Sequence, residues 1–308
     1  MPSFDNLIMQ GGGIRCLWQA GFLSVVAPQW PRMPQKIFAV SAGAAIACAF
    51  AADRMDAGVE AFKEAVSKNT KNFYPSRLFS RRAVFPHAAM YRGLLSDVLN
   101  DSGITALQRG PDVEILLCRP PRHLAAVTVK ALVLGISLGR RLSSPRICST
   151  LIRMSRLSPE FVSVRSCRDA RDVADLVLAS SSTPPFTPLF SYHGRHSLDG
   201  GVLESVPMSG LRTADAGALV LLTNHHHRTP APSLPRHSRL THVAPSRHIA
   251  GAPWDYANPR LLDAFYALGR EDGARFVELK APHNCQLSIS PVPSETTVAA
   301  WPEGEAAP

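Results

Sequence analysis

The sequence predicts an α/β fold, a mostly parallel central sheet with helices on both faces. Three observations carry that expectation. The run from Phe4 to Met9 reads as a strand, ends in Gly11-Gly12-Gly13, and is followed by Leu17, Trp18, Gly21, Phe22 and Val25 at helical spacing. The pattern then repeats: Ile37 to Val40 is apolar and β-favouring, Ser41 sits at a turn, and Ala42 to Phe50 is helical. Two later runs, Val113 to Cys118 and Ala218 to Thr223, are continuously apolar, as strands covered on both faces are. A β-α-β-α start is the mark of a parallel sheet.

The remaining elements follow in order. Pro28, Pro31 and Pro34 break the chain between the first helix and the second strand. Between Asp53 and Leu99 the pattern is helical with polar interruptions, clearest at Ala57 to Val66 and Tyr91 to Leu99. Leu124 to Leu142, rich in Ala, Val and Leu, reads either as a buried helix or as a lid or membrane-facing amphipathic element. Arg140-Arg141, Arg146, Arg153 and Arg156 continue its basic character, so 119–157 is an expected lid or membrane-facing insert. Phe161 to Arg165 reads as a strand, Asp169 to Ala179 as an amphipathic helix and Ser180 to Pro185 as a loop. A hairpin around His193-Gly194 precedes Asp199-Gly200-Gly201, and Thr241 to Ala244 is another strand. Asn258-Pro259 starts a helix with its apolar stripe at Leu261, Leu262, Phe265 and Leu268. No internal repeat or linker divides the chain, so 1–281 is expected to be one domain. Residues 282–308, rich in Pro, Ser and Thr, are expected to be a loosely ordered tail.

Composition narrows the function classes. With 308 residues, 45% hydrophobic and 19% charged, the chain is long enough for one large α/β domain. The net charge of +9 comes mostly from arginine; it reads either as a compositional bias or as attraction to an anionic surface. Six cysteines lie far apart with no C-x-x-C pair, which points to reduced, buried thiols and no metal site. Asp5 stands where a secretory signal would be basic, and no uncharged apolar run reaches membrane-span length. The expectation is a cytoplasmic protein, with peripheral membrane contact or secretion without a leader left open.

Three features bear chemistry. Ser41 lies at the carboxyl end of a strand and the start of a helix, where unpaired amides and the helix dipole favour developing negative charge. The surrounding Ala39-Val40-Ser41-Ala42-Gly43 departs from a G-x-S-x-G elbow only at Ala39, and a serine there is also an ordinary helix cap. Gly11-Gly12-Gly13 lets backbone N–H groups approach a ligand closely. The spacing is G-G-G-x-R, no acidic residue ends the second strand, and no Gly-Lys-Ser/Thr follows, which argues against nucleotide binding. Consecutive β-α turns of a parallel sheet open on one edge, so glycine amides and Ser41 Oγ are expected to face each other. Asp199 before two glycines reads as a turn or as the base for Ser41.

Taken together, Gly11-Gly12-Gly13-Ile14-Arg15-Cys16, Ala39-Val40-Ser41-Ala42-Gly43 and Asp199-Gly200-Gly201 resemble, in that order, the motifs of the patatin-like phospholipase family. Ala179-Ser180-Ser181-Ser182-Thr183-Pro184-Pro185-Phe186 and Leu268-Gly269-Arg270-Glu271-Asp272-Gly273 are also similar to family blocks. The resemblance spans Leu7 to about Phe276 and is weakest between Asp53 and Met154. It implies a patatin-like three-layer sandwich and a serine lipid acyl hydrolase with a Ser41–Asp199 dyad. The oxyanion loop would be Gly11, Gly12, Gly13 and Ile14, with Arg15 orienting the loop or meeting a phosphate. Ala39 and Cys16 replace family glycines, and neither is a reacting group. The implied partners are a lipid substrate and a transient membrane surface, with no nucleic acid, no cofactor and no metal.

Two other readings remain at this stage. A Ser-His-Asp esterase would draw its base from His196, His225 to His227, His242 or His248. A degenerate module would bind lipid without turning it over.

Overall fold

The computed structural model describes residues 3–74, 87–141, 145–184, 186–211, 217–224, 240–280 and 297–298. Its first unit is strand β1 (Asn6–Met9), a short 3-10 turn at Gly13–Cys16, helix α1 (Leu17–Val26), strand β2 (Lys36–Val40) and helix α2 (Ala42–Ala51). Helices α3 (Met55–Ser67), α4 (His87–Val98) and α5 (Asp101–Arg109) lead into strand β3 (Asp112–Arg119). The expected insert is a pair of helices, α6 (Ala126–Arg141) and α7 (Pro145–Met154). Strand β4 (Ser158–Ser163), helix α8 (Ala170–Ser180) and the hairpin β5 (Phe190–Tyr192) with β6 (Arg195–Asp199) follow. Strands β7 (Ala218–Leu221) and β8 (Leu240–Val243), helix α9 (Pro259–Lys280) and a two-residue strand β9 (Thr297–Val298) complete the described chain.

The sheet order is β5-β6-β3-β2-β1-β7-β8-β9, with β4 paired to β3 off this path. The contacts among β3, β2, β1, β7, β8 and β9 are parallel, whereas β4 and β6 run antiparallel to β3. Every residue of β1 is buried, because β2 and β7 flank it and both faces are covered. Alternate side chains feed two cores. Leu7 and Met9 join the larger one, with α1, α2, α8 and α9; Ile8 joins a smaller one with Phe38, Val206 and Val220. A third cluster lies under α6, where Val129, Val133 and Ile136 meet Cys118, Leu198 and Val202. This is the mixed α/β sandwich that the sequence predicts.

The differences are local. The strand expected at Phe161 to Arg165 starts three residues earlier, at Ser158, and ends in a 3-10 turn at Val164–Ser166, where Ser163 Oγ accepts the Arg165 N–H. Helix α6 is neither wholly buried nor free: Val129, Val133 and Ile136 face the protein while Val127 and Leu134 are exposed. Residues 225–227, Pro185 and the tail beyond 280, apart from 297–298, lie outside the described residues.

Candidate active site

The register of β3 brings the site together. Strand β4 pairs with Glu114–Arg119 and therefore occupies one edge of β3 along that whole stretch. β2 and β6 must then share the opposite edge, where Val40 is opposite Leu116 and Asp199 is opposite Leu117. The ends of the two strands meet head to head, and the next residue of β2 is Ser41. Ser41 Oγ donates to Asp199 Oδ2 at 2.7 Å, across 158 positions of sequence. Gly200 permits this approach: a Cβ there would sit 2.5 Å from Leu116 O and 2.7 Å from Val40 Cγ2.

Asp199 is fixed on every side. Its Oδ1 accepts the Gly201 N–H at 2.7 Å, its own N–H donates to Ser182 O at 2.8 Å, and Thr183 Oγ1 donates to Oδ2 at 3.4 Å. Both side chains of the pair are buried, Ser41 at 6% and Asp199 at 8% exposure.

Ser41 itself holds φ 55° and ψ −133°, a left-handed backbone uncommon outside glycine. The turn is tied down by Ser180, whose Oγ accepts the Ser41 N–H at 2.8 Å and donates to Leu116 O at 2.8 Å. Gly43, two residues on, lies where a Cβ would be 2.6 Å from Gln10 O, so the start of α2 rests directly on the end of β1. The Ala39 methyl is fully buried in the main core beside Met9 and Ala44, so the elbow accommodates it there.

The glycine loop hangs on polar groups that periodicity does not single out. Gln10 Oε1 accepts the Thr223 N–H at 2.7 Å, and Gln19 Nε2 donates to both Gln10 O and Leu221 O at 3.0 Å. Thr223 Oγ1 donates to Gly11 O at 3.0 Å. The Gly11 N–H is donated to Ser205 O and the Ile14 N–H to Pro253 O. Of the four expected oxyanion donors, the amides of Gly12 and Gly13 are the two for which no acceptor is found among the described residues. Arg15 turns away from Ser41; its guanidinium donates to Asn224 Oδ1 at 2.6 Å and Gly251 O at 3.1 Å, and partial burial lowers its pKa. It fastens the glycine loop to the segments after β7 and before α9. Cys16 has a helical φ of −65°, and its thiol points to Gln10 O. Burial, and then the charge of Asp199, push that thiol far up.

Ser41, Asp199 and Gly11 to Gly13 line one groove that opens to solvent. The stacked rings of Phe186 and Trp254 form one wall, and Val133 and Ile136 of α6 reach it from the other side. Among the described residues no histidine lines it. His196 Nδ1 is hydrogen-bonded to Ser191 Oγ at 2.9 Å, His248 is exposed, and His242 lies on β8, with β7 and β1 between it and β2.

The fold is similar to that of VipD from Legionella pneumophila, at 11% identity over 90% of this chain and 67% of that one, with a TM-score of 0.43. No curated protein matches the chain. The family model described as patatin-like phospholipase matches residues 7–212 and so takes in β1, the serine turn, the α6–α7 pair and the Asp199 strand. On that match, over more than half its length, the chain belongs to the patatin-like phospholipase family, whose members are lipid acyl hydrolases.

Proposed function

We propose that the protein hydrolyses fatty acyl esters of phospholipids, lysophospholipids or neutral lipids through an acyl-enzyme on Ser41. The observation that carries this is the 2.7 Å hydrogen bond from Ser41 Oγ, on a strained strand-to-helix turn, to the buried Asp199 carboxylate. Ser41 Oγ attacks the ester carbonyl as its proton passes to Asp199 Oδ2. The negative oxygen that develops is met by the N–H groups of Gly12 and Gly13, which lie on the same groove. Asp199 returns the proton to the departing alkoxide, then takes one from the water that hydrolyses the acyl-enzyme. The direct hydrogen bond from Ser41 to Asp199, with no histidine between them, favours this dyad over a Ser-His-Asp triad.

The reading extends to where the substrate is met. Between Glu114 and Glu160 the sequence carries eight arginines and lysines and no acidic residue. In the same stretch Val127, Leu134 and Met154 are exposed beside exposed Lys130, Arg153 and Arg156. An apolar surface set among cations fits an anionic lipid interface, and the helix that carries most of it also lines the groove.

The direct test uses p-nitrophenyl acyl esters with Ser41→Ala and Asp199→Asn. Each variant is expected to lose at least about 10³-fold in kcat, to keep a native circular dichroism spectrum, and Ser41→Ala to lose fluorophosphonate labelling. Activity retained in Asp199→Asn and lost in a histidine variant would overturn the dyad.

A further inference from the structure

We infer that the acyl chain lies in an apolar cavity between α2, α3 and α4, and that Ala49 and Gly58 set the chain length accepted. The inference rests on the hydrolase reading and deepens it. Three hollow spaces meet at Gly13. One is the open groove beside Asp199; the second, a small space, is lined by Ser41, Ala42, Tyr91, Trp254 and Tyr256. The third, narrow and apolar, shares Gly13 and Tyr91 with the second and runs back among Ala45, Ala49, Val59, Phe62, Leu95 and Val98.

The chemistry of the walls differs along this path. The groove is bordered by Asp199, Thr183 and Ser205 and opens to water, which suits a polar leaving group. In the inner cavity the side chains are hydrocarbon apart from the Cys16 thiol, the Met55 thioether and the Tyr91 hydroxyl. That hydroxyl is bonded to Tyr256, and the Phe62, Tyr91 and Tyr256 rings pack edge to face, 5.7–6.3 Å between centroids, where the two spaces adjoin. Such walls offer water no partners and suit a saturated chain. An ester with its carbonyl carbon at Ser41 Oγ can thus place its alcohol in the groove and its acyl chain inward, with the Tyr91 ring turning aside to admit it.

The cavity exists because small residues face each other across α2 and α3. A Cβ on Gly58 would meet Ala49 Cβ at 3.5 Å and Val98 Cγ1 at 3.7 Å, which is ordinary contact. Nothing steric demands glycine there, and glycine weakens a helix interior. Its effect is to leave space, and interiors otherwise leave little.

The test compares p-nitrophenyl esters from butyrate to palmitate on wild type, Gly58→Leu and Ala49→Val. In wild type kcat/KM is expected to rise up to about fourfold per methylene until the cavity is filled. In Gly58→Leu the dodecanoate-to-butyrate ratio of kcat/KM is expected to fall at least about tenfold, the equivalent of roughly two buried methylenes, and in Ala49→Val by less. A second measurement, displacement of a fluorescent fatty acid from Ser41→Ala with and without Gly58→Leu, reads the cavity without turnover. Hydrolysis with a ratio that neither variant changes would overturn the acyl site and leave the hydrolase reading standing. If wild type cleaves no ester while Ser41→Ala binds the fatty acid and the double variant does not, the hydrolase reading fails and the cavity assignment holds.

Discussion

Ser180 carries a role out of proportion to its size. Its hydroxyl accepts from the Ser41 amide and donates to Leu116 O, so one oxygen holds the strained turn against β3. Ser180→Ala leaves a buried N–H and a buried carbonyl without that partner, a cost of about 1–3 kcal/mol. The expected outcome is a lower melting temperature, and a loss in kcat larger than any change in KM because the Oγ is no longer aimed. An unchanged kcat in a destabilised variant would restrict Ser180 to stability. The negative charge of Asp199 is felt nearby: after burial, it is the next cause raising the pKa of Cys16 and of Cys118, whose thiol is pushed up to about 12. Both thiols stay protonated at neutral pH and are poor rivals to Ser41 as nucleophiles.

At the level of elements, α1 and α9 form the most extensive helix pair. They approach through reciprocal glycines. A Cβ on Gly21 would lie 2.1 Å from Tyr266 O, and one on Gly269 would lie 2.1 Å from Trp18 O. The contact is sealed by Asp272, fully buried, whose Oδ2 accepts from Trp18 Nε1 at 2.8 Å and from the Ser246 N–H at 3.0 Å. The Leu268-Gly269-Arg270-Glu271-Asp272-Gly273 block is therefore a packing device that holds the helix following the glycine loop. Gly269→Ala must push the helices apart and is expected to destabilise by about 1–3 kcal/mol, measured by urea unfolding, with specific activity at low temperature largely kept. Near-native stability would mean the helices separate at no cost.

Across the whole molecule, charge and apolar exposure coincide in one stretch of the chain. The acid-free stretch between Glu114 and Glu160 puts exposed cations beside Val127, Leu134 and Met154, and no helix among the described residues is long and apolar enough to cross a membrane. Co-sedimentation is expected to show binding to vesicles rich in anionic lipid that weakens as salt rises. Replacing Lys130 and Arg153 with glutamate is expected to weaken it by at least about 1 kcal/mol per charge removed. Equal binding to uncharged vesicles, or binding indifferent to salt, would remove the cations from the account.

The local pattern was enough to predict much of this protein. Apolar runs bounded by glycine, proline and serine marked β1, β2, β3 and β7, and the strand-loop-helix repeat implied a parallel sheet, because periodicity and turn chemistry act over a few residues. The motif order brought Ser41, Asp199 and Gly11 to Gly13 forward as candidates. The meeting of Ser41 with Asp199 depends on β2 and β6 ending against neighbouring residues of β3, a register that no short stretch encodes. The same holds for Ser180, Gln10, Gln19 and Thr223: their hydroxyl and amide partners are nonlocal, and a lone polar residue in a helix or strand does not announce them. That the amides of Gly11 and Ile14 are taken up by the carbonyls of Ser205 and Pro253, far along the chain, was likewise invisible in the local pattern. The cavity behind Tyr91 depends on small residues, Ala49 and Gly58, meeting across two helices while a third closes the side, and space between elements has no signature in any one of them.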